Sequence, residues 1–170
     1  VNDGSGVFTN SGQGLGNAQS SSVVLGDLDA DNDLDAFVVN IESPTTHWPN
    51  EIWLNDGDGI FTDSGQQVIS TFPRDVALGD VDGDGDLELF VGGRVIPGRY
   101  PEGATSLLFR HRQGRWELDG ENSRHLARVG LVSGAVWSDL DGDGFPELIL
   151  ACEWGPVRIF RNEAGKLSEW

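Results

Sequence analysis

Apolar positions along this chain come in short runs rather than at helical spacing. Runs such as "VVLG", "AFVV", "EIWL", "LELFVGG" and "ELILAC" are rich in Val, Ile, Leu, Phe and Trp. Each is bounded by Gly, Asp, Asn or Pro, which is the pattern of strands closed by turns. No segment keeps a 3.6-residue period over three turns, so helix is expected to be essentially absent. With 24 glycines, the chain reads as many short strands joined by tight turns.

The runs also repeat. "VVLGDLDADNDLDAFVV", "VALGDVDGDGDLELFVG" and "AVWSDLDGDGFPELILA" align without gaps, starting at Val23, Val76 and Ala135. A second motif alternates with them: "VNDGSGVFTNSGQ", "LNDGDGIFTDSGQ", then "FRHRQGRWELDGE" and "FRNEAGKLSEW". Its Asn-Asp-Gly core, flanked by apolar and aromatic positions, predicts a hairpin. Strands are expected near 22–26, 35–40, 50–55 and 59–63, then 75–79, 88–92, 105–111 and 115–119, then 134–138, 147–151, 157–161 and 165–169. Residues 6–9 read as the last strand of a preceding unit. Four antiparallel strands per repeat of this length are what a β-propeller blade requires. The expected fold is therefore all-β: about three propeller blades, each a four-stranded antiparallel sheet, plus one extra N-terminal strand, an incomplete ring. The chain is read as one propeller segment, 1–170, divided into a leading strand and connection (1–21) and blades at 22–64, 65–120 and 121–170. It starts with Val and contains no Met, which suggests a processed chain or an excerpt of a longer one.

Between the first two strands of each blade lies an acidic loop. Numbered from its first Asp, position 1 is Asp27, Asp80 or Asp139, and position 3 is Asp29, Asp82 or Asp141. Position 5 is Asp31, Asp84 or Asp143, and position 9 is Asp35, Glu88 or Glu147. Alternate oxygens in a tight loop turn toward one centre. Position 6 is Asn32, Gly85 or Gly144, residue types that tolerate positive φ. Position 7 is Asp33, Asp86 or Phe145. Phe has no side-chain oxygen, so a ligand here acts through its backbone carbonyl. Positions 2 and 8 are apolar in all three copies and are expected to point into the sheet packing. Many hard oxygens predict Ca²⁺ at three sites; Mg²⁺ asks for a stricter octahedron, and Zn²⁺ for Cys or His. An EF-hand needs Glu at position 12 and flanking helices, whereas Val38, Val91 or Leu150 stands there between strands.

Charge agrees with this assignment. The net charge is −17, and the three loops hold half of the 28 acidic residues. Nucleic acid is excluded as a partner by that sign. No apolar stretch is long enough for a membrane-spanning helix. The single Cys152, inside "ELILAC", rules out an internal disulfide framework and reads as a structural thiol. At a Kd of about 10⁻⁴ M and calcium near 1 mM, each site would add about 1.4 kcal/mol, and three about 4 kcal/mol. Such loops are useful as staples only where calcium is abundant.

The D-x-D-x-D-G-x-x-D/E loop between strands, followed by "NDGDGIFTD", resembles the FG-GAP/VCBS-type repeat. That resemblance implies Ca²⁺-binding blades of integrin-α-like propellers and an extracellular, secreted or cell-surface setting. It is closest to large bacterial surface proteins and to cartilage-acidic-protein-like chains; "GGRVIPGRYPEG" strengthens the match. The chain departs from the pattern in lacking an ASPIC-type domain and in carrying Asn32 where Gly is usual.

In a propeller, the calcium loops and the hairpin turns share one face. The other face collects His47, Trp48, Arg94, Arg99, Tyr100 and Trp154. The segment from Arg94 to Arg128 holds seven of the eleven Lys and Arg residues. Such a cationic, aromatic rim suits a protein partner or an acidic glycan; the alternative is that these residues brace loops through local ion pairs. Trp53, Trp116 and Trp137, inside strands, read as core or blade-contact residues. Three functions are open at this level. The first is a non-enzymatic adhesion or ligand-binding module. The second is a subunit that self-assembles through open blade edges into an oligomer or filament. The third is part of a calcium-dependent polysaccharide lyase, for which only His47, Arg94 and Arg99 are candidates. No nucleophile elbow or phosphate-binding loop occurs.

Overall fold

A computed structural model describes residues 4–41, 48–70 and 72–170. Twelve strands form three separate four-stranded antiparallel sheets, each a simple meander. The first holds β1 (Ser20–Gly26), β2 (Asp35–Asn40), β3 (Asn50–Asn55) and β4 (Phe61–Val68). The second holds β5 (Pro73–Gly79), β6 (Glu88–Gly93), β7 (Leu107–Arg112) and β8 (Arg115–Leu118). After helix α1 (Gly120–Leu126), the third holds β9 (Leu131–Ser138), β10 (Glu147–Glu153), β11 (Arg158–Glu163) and β12 (Lys166–Glu169). Among the described residues the fold is all-β, three four-stranded blades with no closed barrel.

Two expectations need correction. Helix is not absent: α1 fills the connection from the second sheet to the third. Its start is an Asp119 N-cap whose carboxylate accepts from the Glu121 and Asn122 amides, and Leu126 buries its apolar side. At seven residues it is too short for periodicity to register. The strand expected at 6–9 is also not regular; Phe8 alone sits in a bridge. Gly4, Gly6 and Gly12 adopt positive φ around it, which interrupts an extended ladder. This segment is held to the first hairpin turn by Gln13, which donates to the Gly59 carbonyl and accepts from the Phe61 amide.

The core lies between sheets. One cluster joins Leu28, Phe37, Val39 and Ile52 of the first sheet to Val76, Leu89, Val91 and Phe109 of the second. The other joins Val81, Phe90 and Leu108 of the second to Val132, Leu148, Leu150 and Phe160 of the third, with Leu126 of α1. Alternation along each strand produces this: one set of side chains faces the sheet before and the other the sheet after. The closest approach is at glycine. A Cβ on Gly26 would meet Leu78 and Leu87 at 2.8 Å, and one on Gly79 would meet Trp137 at 2.8 Å. Asp75 on β5 links all three sheets, accepting from Ser22 Oγ (3.3 Å) and from the Ala135 amide (2.8 Å).

The same logic explains where positions 2 and 8 of the loops go. Position 2 faces the following sheet, so Leu28 and Val81 are buried while Leu140, with no sheet after it, is 49% exposed. Position 8 faces the preceding sheet, so Leu87 and Pro146 are half-buried while Leu34 is 57% exposed. The expectation that all six point into the packing thus fails at the two ends of the array.

Candidate metal centres

Each acidic loop leaves its first strand and returns to its second over eight residues, so the chain must double back on itself. Positive φ does this at two places per loop: Ala30 and Asn32, Gly83 and Gly85, Gly142 and Gly144. Position 6 was expected from its residue types; position 4 was not, although its Ala-Gly-Gly series carried the signal.

The carboxylate of position 1 organises the loop by accepting backbone amides. Asp80 accepts from Gly83 (2.7 Å) and Gly85 (3.1 Å), Asp139 from Gly142 (2.7 Å) and Gly144 (3.1 Å), and Asp27 from Asp31 (3.2 Å) and Asn32 (3.0 Å). Position 9 is buried at the base. Asp35, Glu88 and Glu147 each accept from the position-2 amide of their own loop, at 2.7, 2.8 and 2.9 Å. Position 5 is engaged locally, since Asp31, Asp84 and Asp143 accept from the position-7 amide.

The result is three carboxylate nests: Asp27, Asp29 and Asp35; Asp80, Asp82 and Glu88; Asp139, Asp141 and Glu147. In each, three carboxylate oxygens lie within 4.8 Å of one another. Positions 1, 3 and 9 are thus brought together. Position-7 side chains turn elsewhere: Asp33 lies against Gly57 of its own hairpin, and Asp86 approaches His111 Nδ1 at 3.6 Å. What position 7 can offer a nest is its main-chain carbonyl, the one oxygen Phe145 shares with them.

In the first and second nests one carboxyl each is held above its usual range. Burial pushes the Glu88 carboxyl up to about 7; Asp82 and Asp84 add to the rise, against the Val81 amide and Arg110. Asp29 is also raised, by burial and then by Asp35 and Asp31. Asp82 Oδ1 is buried without a hydrogen-bond partner. An all-oxygen donor set with an orphaned carboxylate oxygen fits a hard divalent cation.

Two supports were not expected from sequence. The hairpin Asn of the first and third blades, replaced by His111 in the second, ties loops down: the Asn55 amide donates to Asp35 (2.8 Å), and the Asn162 side chain donates to the Val81 and Pro146 carbonyls (2.8 and 3.0 Å). An arginine on the third strand holds position 3 in two blades, Arg110 on Asp82 and Arg161 on Asp141 (2.8 Å). The pairing depends on strand register, which no local pattern specifies.

Of the residues expected on the opposite face, Trp48, Tyr100 and Trp154 are exposed, Trp154 at 86%. Arg94 pairs with Glu153 (2.6 Å), and Arg99 pairs with Glu102 (2.8 Å). Only the Arg99–Glu102 pair is local to one loop; Arg94–Glu153 joins residues of the second and third blades. His47 lies outside the described residues.

Residues 37–91 match the family described as the FG-GAP-like repeat. The matched stretch runs from β2 of the first sheet through β6 of the second and contains the second acidic loop. No curated protein matches the chain.

Proposed function

We propose that this FG-GAP-type repeat protein is a calcium-stabilised, non-enzymatic β-propeller module that works outside the cell in adhesion or ligand binding. The observation that carries the proposal is Asp82 Oδ1, a carboxylate oxygen buried without a partner inside a nest the chain builds three times. Leaving a buried carboxylate oxygen without a partner costs about 1–3 kcal/mol, and a divalent cation offsets that cost. Asp27, Asp29 and Asp35, Asp80, Asp82 and Glu88, and Asp139, Asp141 and Glu147 would hold the three ions. Asp31, Asp84 and Asp143, with the carbonyls of Asp33, Asp86 and Phe145, complete the candidate donor set. The bound ions would supply charge neutralisation and no reaction chemistry. Calorimetric titration of the cation-stripped chain with calcium chloride is expected to give three ions per chain. No heat at millimolar calcium would sink the proposal.

Trp48, Tyr100 and Trp154 are the aromatic surfaces offered to a protein or acidic glycan, with Arg94 and Arg99 exchanging Glu153 and Glu102 for the ligand's anion. Binding on a glycan array that disappears in a Trp154→Ala variant is the expected result.

A second, structural reading is favoured by one observation. The end faces expose the positions that the internal interfaces bury: Val23, Leu25 and Leu34 at one end, Val136 and Leu140 at the other. A heterologous joint between such faces adds copies head to tail. Sedimentation velocity across a concentration series separates the two readings, since a chain monomeric at every concentration excludes assembly.

A further inference from the structure

We infer that the second nest is a latch between the second and third sheets, with Arg110 as the residue that positions Asp82 in it. The inference rests on cation binding at the nests. Arg110, on β7, spreads its guanidinium over three partners: Asp82 Oδ2, Asp119 Oδ2 (2.8 Å) and the Gly165 carbonyl (2.6 Å). Asp82 is therefore held by one oxygen, and its other oxygen, Oδ1, is the buried one left unpaired.

Gly165 belongs to the β11–β12 turn of the third sheet. It has φ +88°, and a Cβ there would fall 2.9 Å from both Arg110 Nη2 and Asp82 Cβ. The turn is thus seated directly on the nest's edge. Asn122 of α1 closes the group, donating to the Gly165 carbonyl (2.8 Å) and accepting from the Leu167 amide (2.9 Å). From the other side, Phe145 of the third loop packs on Gly83 of the second. Nest, helix cap and neighbouring turn form one connected group.

The other two nests lack this arrangement. Strand pairing places Leu54, Arg110 and Arg161 at the same position, each following the residue opposite Ala36, Leu89 or Leu148. The first blade therefore has no arginine there. In the third, Arg161 reaches Asp141 but remains 45% exposed, and no turn of a further sheet covers it among the described residues.

A guanidinium beside a cation site acts in two opposed ways, by repelling the ion and by orienting its ligand. Here Arg110 is already matched by two carboxylates, Asp82 and Asp119. The orienting effect therefore dominates. Fixing a ligand through its outer oxygen is worth about 10–100-fold in metal affinity.

The test is an NMR titration of the full chain with calcium chloride. The Asn32, Gly85 and Gly144 amides each donate to the position-1 Asp of their own loop, so each reports one nest. In Arg110→Leu, which copies the Leu54 of the first blade, the Gly85 midpoint is expected to rise at least about tenfold. The Asn32 and Gly144 midpoints stay in place, and Arg110→Lys falls between. At calcium about ten times Kd, Leu167 amide exchange slows about tenfold in the parent chain and not in Arg110→Leu. A Gly85 midpoint that stays put or falls in both variants overturns the inference while leaving calcium binding intact. Silence at all three amides in the parent chain removes the cation reading itself, and the latch with it.

Discussion

At the residue scale, the loops work because a few positions accept what an ordinary residue resists. Gly85 has φ +95° and open space where a Cβ would go, so a substitution there tests conformation alone. Gly85→Val is expected to lose about 1–2 kcal/mol in urea unfolding. Gly85→Asn should lose less, because Asn32 holds the same position in the first loop. Glu88 gives a pH signature. In the cation-free chain its carboxyl titrates near 7 folded, against an ordinary value of 4.5. Below 4.5 both states hold the proton; between the two values only the folded state does, so stability falls as pH rises and the loss is complete above about 7. The loss is about 3 kcal/mol. Unfolding of Glu88→Gln in chelator, followed from pH 4 to 8, should show a correspondingly flatter profile than the parent chain.

At the scale of elements, the joint between the second and third sheets depends on α1 and on a bare β5 end. Burial works against the Asp119 carboxylate, yet the Asn122 amide, Arg110 and the Asn122 side chain outweigh it and hold its pKa below the usual value. Asp119→Ala removes the N-cap and an arginine partner together and is expected to cost about 2–4 kcal/mol. Asp119→Asn keeps the cap and should cost less; equal losses would mean the cap is idle. Gly79 meets Trp137 so closely that Gly79→Ala must push the third sheet away. A loss of about 1–3 kcal/mol, with altered Trp fluorescence, is the expected outcome.

For the molecule as a whole, charge and the stacking of sheets set the terms. Three divalent ions would bring the formal charge from −17 to −11. If they contribute about 4 kcal/mol, the melting temperature should rise by about 8–16 °C between chelator and millimolar calcium. Scanning calorimetry reads this directly, and magnesium at equal concentration should do less. Stability here is also a matter of neighbours, because the two core clusters lie between adjacent sheets and the middle sheet supplies both.

The strands, their grouping in fours and the three nests were legible in the chain because each depends on local alternation or on spacing inside one loop. Nests at positions 1, 3 and 9 follow from a loop that must turn twice in eight residues, whatever surrounds it. Helix α1 was not legible, since seven residues carry too few turns to register a period, and its one signal was Asp119 ahead of Glu121 and Asn122. Register placed Arg110 on Asp82 and left Leu54 opposite the first nest, although the three strands look alike as patterns. The exposure of Leu34 and Leu140, against the half-burial of Leu87 and the burial of Val81, also lies beyond any local rule. Sequence by itself determined which groups can neutralise or bury one another, because those preferences act over a few residues. Only the tertiary structure decided which of them meet, because contacts between sheets join positions some sixty residues apart, such as Asp75 and Ala135.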